Sequence, residues 1–130
     1  MSYVDPGEPR TLISRATVSS ADNADEATFR AAVGDAAFCG GMTTLAVKGS
    51  FSASGANAVA RIAYYSVDAS GNETFEFMDA AQTITASSQT SSSRYIGDQA
   101  LLFPTYGYTK IRLYISSISS GNVSLDVEGK

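Results

Sequence analysis

Histidine and tryptophan are absent from the 130 residues, cysteine occurs once, and lysine occurs only at Lys48, Lys110 and Lys130. Without histidine there is no Ser-His-Asp triad, no Cys-His pair, no imidazole metal ligand and no side chain that ordinarily titrates near neutrality. A lone Cys39 makes neither an internal disulfide nor a cysteine-rich zinc site, so the fold is held by packing, by a subunit interface, or by both. No run of about 18 apolar residues is present, which argues against a membrane helix. The segment Met1 to Pro6 lacks the basic and apolar regions of a secretory signal. A soluble chain made in a cytoplasm is the expectation.

Small residues dominate what is there. Serine, threonine, alanine and glycine fill 60 of the 130 positions. Abundant Ser and Thr with few long charged side chains suit a solvated β-surface better than salt-bridged helices. The formal charge is −4, which disfavours a nucleic-acid phosphate backbone as partner. The length fits one domain with its own core.

Along the chain, Pro6 and Pro9 fall close together in residues 1 to 20, where fixed φ angles and missing donors suggest an extended N-terminal arm or a loosely held terminus. Asp22 or Asn23 could cap a short helix from Ala24 to Val33 ended by Gly34, in competition with a loop that feeds a strand at Asp35 to Cys39. From Gly41 onward the pattern is one of short alternating segments. Leu45, Val47, Gly49 and Phe51 share one face opposite Ala46, Lys48 and Ser50, the period of a half-buried strand. Ser52 to Asn57 reads as a turn, and Ala58 to Val67 as a long strand rich in β-branched and aromatic residues. Val67 to Glu73 has hairpin chemistry, with a return strand at Thr74 to Asp79 that carries Phe75 and Phe77 on one face. A weaker strand surrounds Ile84, and Ser87 to Ser93 is a polar loop. Arg94 to Ile96 and Ala100 to Phe103 are short strands. Lys110 to Ser116 alternates cleanly, Ile118 to Asn122 is a tight turn, and Val123, Leu125 and Val127 mark the last strand. Seven or eight short strands joined by Gly, Ser and Asn turns imply an all-β fold, a single antiparallel β-sandwich of jelly-roll kind over residues 21–130.

Candidate chemistry is sparse. Asp68, Ser70 and Asn72 place oxygens at alternate positions, like the start of a calcium loop, but the twelfth position is Asp79 after a strand, and tight-turn bonding already accounts for these residues. Glu73, Glu76, Asp79 and Asp98 are the carboxylates near the aromatic strands. A glycosidase pair needs a spacing of about 5 to 9.5 Å, yet Glu76 and Asp79 alternate onto opposite faces, and solvated strand polarity explains them. Asn72-Glu-Thr74 and Asn122-Val-Ser124 match a glycosylation acceptor, a pattern that turn composition also produces. Cys39 in AAFCGG reads as a small buried apolar residue. The tyrosines are more pointed. Tyr64 and Tyr65 must face opposite ways, so one at most is core if the sheet has a single dry side, while Tyr106 and Tyr108 flank Gly107 in a loop and are the best exposed contacts. No catalytic, metal or cofactor site is expected.

The segments TTLAVKGSFSASGANAVARIAYYSVDASGNETFEF (Thr43 to Phe77) and YTKIRLYISSISSGNVSLDVEG (Tyr108 to Gly129) resemble β-sandwich accessory proteins of tailed-bacteriophage virions. What carries the resemblance is a long aromatic strand, a D-x-S-G-N hairpin, and a K-I-R-L-Y-I strand before an S-S-G-N-V-S-L-D-V hairpin. It implies a jelly-roll-like fold, no enzymatic activity, frequent trimerisation and a place in the virion after synthesis in the bacterial cytoplasm. Head decoration or cement proteins are the first expectation, with the major capsid protein or another virion protein as partner and a homo-oligomer, favouring a trimer. Neither nucleic acid nor membrane is expected as partner. Partner contacts are expected from Tyr3, Val4 and Arg10 in the arm and from Tyr106 and Tyr108 in the late loop. The alternative is a carbohydrate-binding or receptor-binding module of a tail or fibre, using Tyr64 or Tyr65 with Tyr106 and Tyr108 as a platform and Asp98 or Gln99 for hydroxyls; the absence of tryptophan counts against it.

Overall fold

A computed structural model describes residues 10–19, 33–79, 81–87, 95–97 and 99–130. Among them the chain forms ten strands: β1 (Arg10–Val18), β2 (Val33–Phe38), β3 (Thr44–Phe51), β4 (Asn57–Val67), β5 (Glu73–Met78), β6 (Gln82–Thr85), β7 (Tyr95–Ile96), β8 (Leu101–Pro104), β9 (Lys110–Ile118) and β10 (Val123–Gly129). The fold is all-β, two antiparallel sheets packed face to face. One sheet runs β1-β10-β3 and continues to β7 and β8, both paired with β3; the other runs β2-β9-β4 and continues to β5 and β6, both paired with β4.

The pairings nest. β1 pairs with β10, β2 with β9, β3 with β8, and β4 with β5 and β6. This is one long two-stranded ribbon rolled up, closed by β10 against β3 and β9 against β4, which is the jelly-roll arrangement. The physical cause lies in the alternation. Leu45, Val47 and Phe51 of β3, Ile62 and Tyr64 of β4, Ile111, Leu113 and Ile115 of β9 and Val123, Leu125 and Val127 of β10 are buried in one core between the sheets. A one-residue slip in any of these strands would turn its apolar set outward, so burial fixes the register.

Several expectations need correction. Residues 10–18, within the segment read as an arm, form β1 and bury Ile13; Tyr3, Val4 and the rest of residues 1–9 lie outside the described residues. So do 20–32, which hold most of the expected short helix, and 88–94, most of the polar loop; Val33 and Gly34, the expected end of that helix, instead begin β2. Phe75 and Phe77 do not share a face. Tyr64 pairs with Phe77 and Tyr65 with Phe75, so Glu76 is an extra residue that forms a bulge. Phe77 therefore packs on the main core and Phe75 on a second apolar cluster. That second cluster, Ala63, Tyr65 and Tyr114, also lies on the side of the sheet away from the main core. Tyr64 and Tyr65 do face opposite ways, yet both are buried, since this sheet is apolar on both faces. Finally, Ile118 to Asn122 is not a hairpin: it carries the chain from β9 in one sheet to β10 in the other. Paired bonds hold that crossing against the neighbouring, oppositely directed crossing at Ser52, with Ser52 N–H donating to Asn122 O (3.0 Å) and Asn122 N–H to Ser52 Oγ (2.8 Å).

Candidate functional site

The register gathers several of the expected contact residues at one end of the sandwich. Arg10 pairs with Gly129, Gly129 with Leu45, and Leu45 with Phe103 in one sheet; Phe38 pairs with Lys110 and Lys110 with Tyr65 in the other. The loop from Pro104 to Thr109 closes this end and carries Tyr106 and Tyr108. Arg10 is exposed there, beside an open cavity of about 320 Å³ lined by Thr11, Leu12, Phe38, Gly40 and Met42.

The conformation of the loop is specific. Tyr106 has φ +54° and Gly107 φ +80°, and Tyr108 N–H donates to Thr105 O at 3.0 Å. Two successive left-handed residues under such a bond make a type I′ turn, whose first central position favours Asn, Asp or Gly. Tyrosine there costs about 1 kcal/mol of backbone energy. Tyr106 is also the one non-glycine residue with positive φ among the described residues.

Bonds from distant parts of the chain hold the turn. Thr105 N–H donates to Thr43 O (3.0 Å) and its buried hydroxyl to Met42 O (2.7 Å). Cys39 N–H donates to Thr109 O (2.8 Å) and its thiol to Tyr108 O (3.2 Å). Burial pushes that thiol up to about 11. Tyr64, fully buried, donates its hydroxyl to Pro104 O at 2.5 Å, with Asp79 Oδ2 at 3.4 Å. Burial first, then the neighbouring Asp79 charge, holds the phenol above its usual range.

Four rings meet under the turn. Phe77 stacks on Tyr64 with centroids 4.7 Å apart, and Tyr106 stands edgewise to both at 5.3 and 5.2 Å. Tyr108 closes the group at 5.8 Å from Tyr64 and 5.5 Å from Phe77. These separations suit offset and T-shaped pairs. Tyr108 is half-buried and works as packing, whereas Tyr106 keeps 56% of its surface exposed. Sequence reasoning found Tyr106 but missed Phe38, which ends β2 with 64% exposure at the same end of the sandwich.

The other candidates resolve differently. Asp68 Oδ1 accepts from Ser70 N and Asn72 N at 2.9 Å, and Oδ2 from Asn72 Nδ2 at 3.2 Å. These bonds, that to the Asn72 backbone foremost, hold the Asp68 carboxyl below its usual range; the turn uses both oxygens. Glu73 is ion-paired through Oε1 with Lys110 and through Oε2 with Arg112 at 3.1 Å, and Arg112 lies 5.5 Å over the Tyr65 ring. Glu76 is exposed on β5, while Asp79 is half-buried beside Tyr64. The structure thus places Glu76 and Asp79 apart in environment as well as in sequence. Tyr65 lies in the second apolar cluster, away from Tyr106, and Asp98 lies outside the described residues.

No family model and no curated protein sequence matches the chain. Among solved structures, the crystal structure of the SPBc2 prophage-derived protein YomS is similar at 18% identity, covering 99% of this chain and 97% of that one with a TM-score of 0.41. The jelly-roll assignment rests on the strand pairing alone.

Proposed function

We propose that this chain is a non-enzymatic structural protein of a tailed-phage virion, a head decoration protein that attaches through the end of the sandwich bearing Tyr106, Phe38 and Arg10. One observation carries the reading. Tyr106 occupies a backbone position that disfavours it, presents an exposed ring, and is held there by buried bonds and by the rings of Tyr64 and Phe77. Rigid, exposed aromatics beside an arginine are the typical anchors of protein interfaces, because little side-chain entropy is lost on contact. Many copies on a repeating surface add by avidity, so each contact can be weak. The resemblance of Thr43 to Phe77 and Tyr108 to Gly129 to virion accessory proteins supports a virion surface, of which the capsid, with the major capsid protein or another virion protein as partner, is the one proposed.

The test is co-sedimentation of the purified protein with phage heads that lack it. Binding that falls at least tenfold for Tyr106→Ala or Phe38→Ser, with the melting temperature of each variant checked, supports the reading. Deleting residues 1–9 tests Tyr3 and Val4 in the same assay. Wild-type protein that ignores the heads refutes the decoration role. A second reading, a glycan-binding module of a tail or fibre, draws on the same exposed ring, since tyrosine can stack on a sugar. A glycan array with a saturable hit that Tyr106→Ala abolishes, together with indifference to heads, would favour it.

A further inference from the structure

The two other large apolar side chains that stand exposed among the described residues lie on the flank of the sandwich rather than on the Tyr106 turn or at the end of β2. Leu102 (61% exposed) and Ile96 (49%) pair with Ala46 and Ser50 of β3. Ala46 alternates with the buried Leu45 and Val47, so Leu102 and Ile96 lie on the outer face of the first sheet, with the exposed Pro104 opposite Thr44. Leu102 is itself one wall of a groove of about 220 Å³ that Thr44, Ala46, Lys48, Glu128 and Lys130 help to line. Its floor is apolar and its rim is charged.

We propose that this face binds a second copy of the same chain about a two-fold axis, with Leu102 of each copy seated in the groove of the other. The observations fit self-recognition in three ways. A knob that forms the wall of a hole suits an isologous contact, because each copy then supplies both parts and the two Leu102 side chains meet near the axis. The four side-chain carbons of leucine occupy about 120 Å³ at roughly 30 Å³ per heavy atom, about half the groove. The charges are also balanced: β10 carries Asp126 and Glu128, Lys130 directly follows it, and Lys48 of β3 pairs with Asp126, with Lys48 Nζ 3.1 Å from Glu128 Oε2. A chain of net charge −4 repels its own copies over most of its surface, and a patch with two acids and two bases relieves that repulsion where both signs can meet across the axis.

The approach is face-on. The Leu102 carbonyl accepts from Gln82 Nε2 at 3.0 Å, a side chain of the opposite sheet, so this point of the β8 edge is already covered against an added strand. This pairing is independent of the decoration reading and distinct from the trimer that the resemblance implies.

Sedimentation equilibrium of the full chain from about 1 to 500 µM tests it. Wild type should show a reversible monomer–dimer equilibrium, with Leu102→Glu raising the dissociation constant at least tenfold at unchanged circular dichroism and melting temperature. Lys48→Glu should weaken the dimer, and an equimolar mixture of the Lys48→Glu and Glu128→Lys variants should pair more tightly than either variant alone, which a charge contact confined to one copy would not do. A monomer throughout, a trimer, or a dimer indifferent to Leu102→Glu overturns the proposal. Loss of head binding with the dimer intact would count against decoration alone.

Discussion

Tyr64 is the hinge between the core and the exposed turn, and its hydroxyl can be removed without disturbing its ring. Tyr64→Phe deletes the bond to Pro104 O while keeping the stack on Phe77 at 4.7 Å. A hydroxyl has one proton to donate; the 2.5 Å contact takes it, and the 3.4 Å approach to Asp79 is the weaker alternative. The loss should be about 1 kcal/mol, rising towards 2 if no water replaces the donor at the carbonyl. For 130 residues the unfolding entropy is on the order of 0.27 kcal/mol/K, so the melting temperature should fall by about 4 to 7 °C. Tyr64→Ala also removes the ring and should cost about 3 to 5 kcal/mol. A double-mutant cycle of Tyr64→Ala with Tyr106→Ala isolates the edgewise contact and should give a coupling of about 0.5 kcal/mol, the low end for aromatic pairs because Tyr106 is half exposed. Calorimetry and urea titration measure all of these. A Tyr64→Phe variant that melts within 1 °C of wild type would refute the bond's role in fixing the turn, and zero coupling would mean that Tyr64 does not anchor Tyr106.

Three further outcomes follow from the same geometry. Tyr106→Asn relieves about 1 kcal/mol of left-handed strain and forfeits a comparable amount of ring contact, so stability should stay within about 1 kcal/mol of wild type while head binding falls at least tenfold; a melting temperature lower by more than 5 °C would make Tyr106 a structural residue instead. Cys39, buried and with its thiol near 11, should resist iodoacetamide at pH 8 until denaturant is added, and stoichiometric labelling of the native protein would contradict that placement. The ion pairs to Lys110, then Arg112, hold the Glu73 carboxyl below its ordinary value of 4.5. Its stabilisation is therefore fully present above that value and is lost as pH falls through the depressed one, so Glu73→Gln should cost about 0.5 to 1 kcal/mol by urea titration at pH 7 and nearly nothing at pH 2.

Much of the sandwich is legible in period-two alternation. β3, β4, β9 and β10 lie within two residues of where Leu45, Ala58, Lys110 and Val123 place them, because each buries one face in a common core. What alternation does not carry is which strands meet. The residues around Ser52 and Ser119 have the composition of hairpin turns, yet both cross between sheets, since a turn's local chemistry is the same whether its exit strand pairs with its entry strand or not. The Glu76 bulge is invisible for a similar reason: an extra residue leaves the spacing of Phe75 and Phe77 unchanged and alters only their faces. At the contact end, Gly107 marks a turn and its flanking tyrosines stand out in the sequence as contacts. The residues that lock the turn, Cys39, Met42, Thr43 and Tyr64, lie 40 to 70 positions away, and only the fold brings them there.

The position of the paired face relative to the contact end leads to a final expectation. Leu102 and the groove lie near the Tyr106 end of the first sheet, while Ile96 lies towards the opposite end, opposite Ser50. A two-fold axis perpendicular to the strands would overlap the two copies only around Leu102 and leave Ile96 of each in water. An axis parallel to the strands lets the faces overlap along their length and buries Ile96 as well as Leu102, which is the larger apolar gain at about 25 cal/mol per Å². That geometry points both Tyr106 turns the same way. The dimer then meets a capsid with two contact ends at once, and the second contact is intramolecular, which can raise apparent affinity by about 10² or more. Leu102→Glu should accordingly weaken head binding by that order although Leu102 touches no head, and the loss should vanish when monomeric wild type and variant are compared at concentrations far below the dimer dissociation constant. Undiminished head binding by a Leu102→Glu monomer, measured where wild type is dimeric, would rule out the parallel axis.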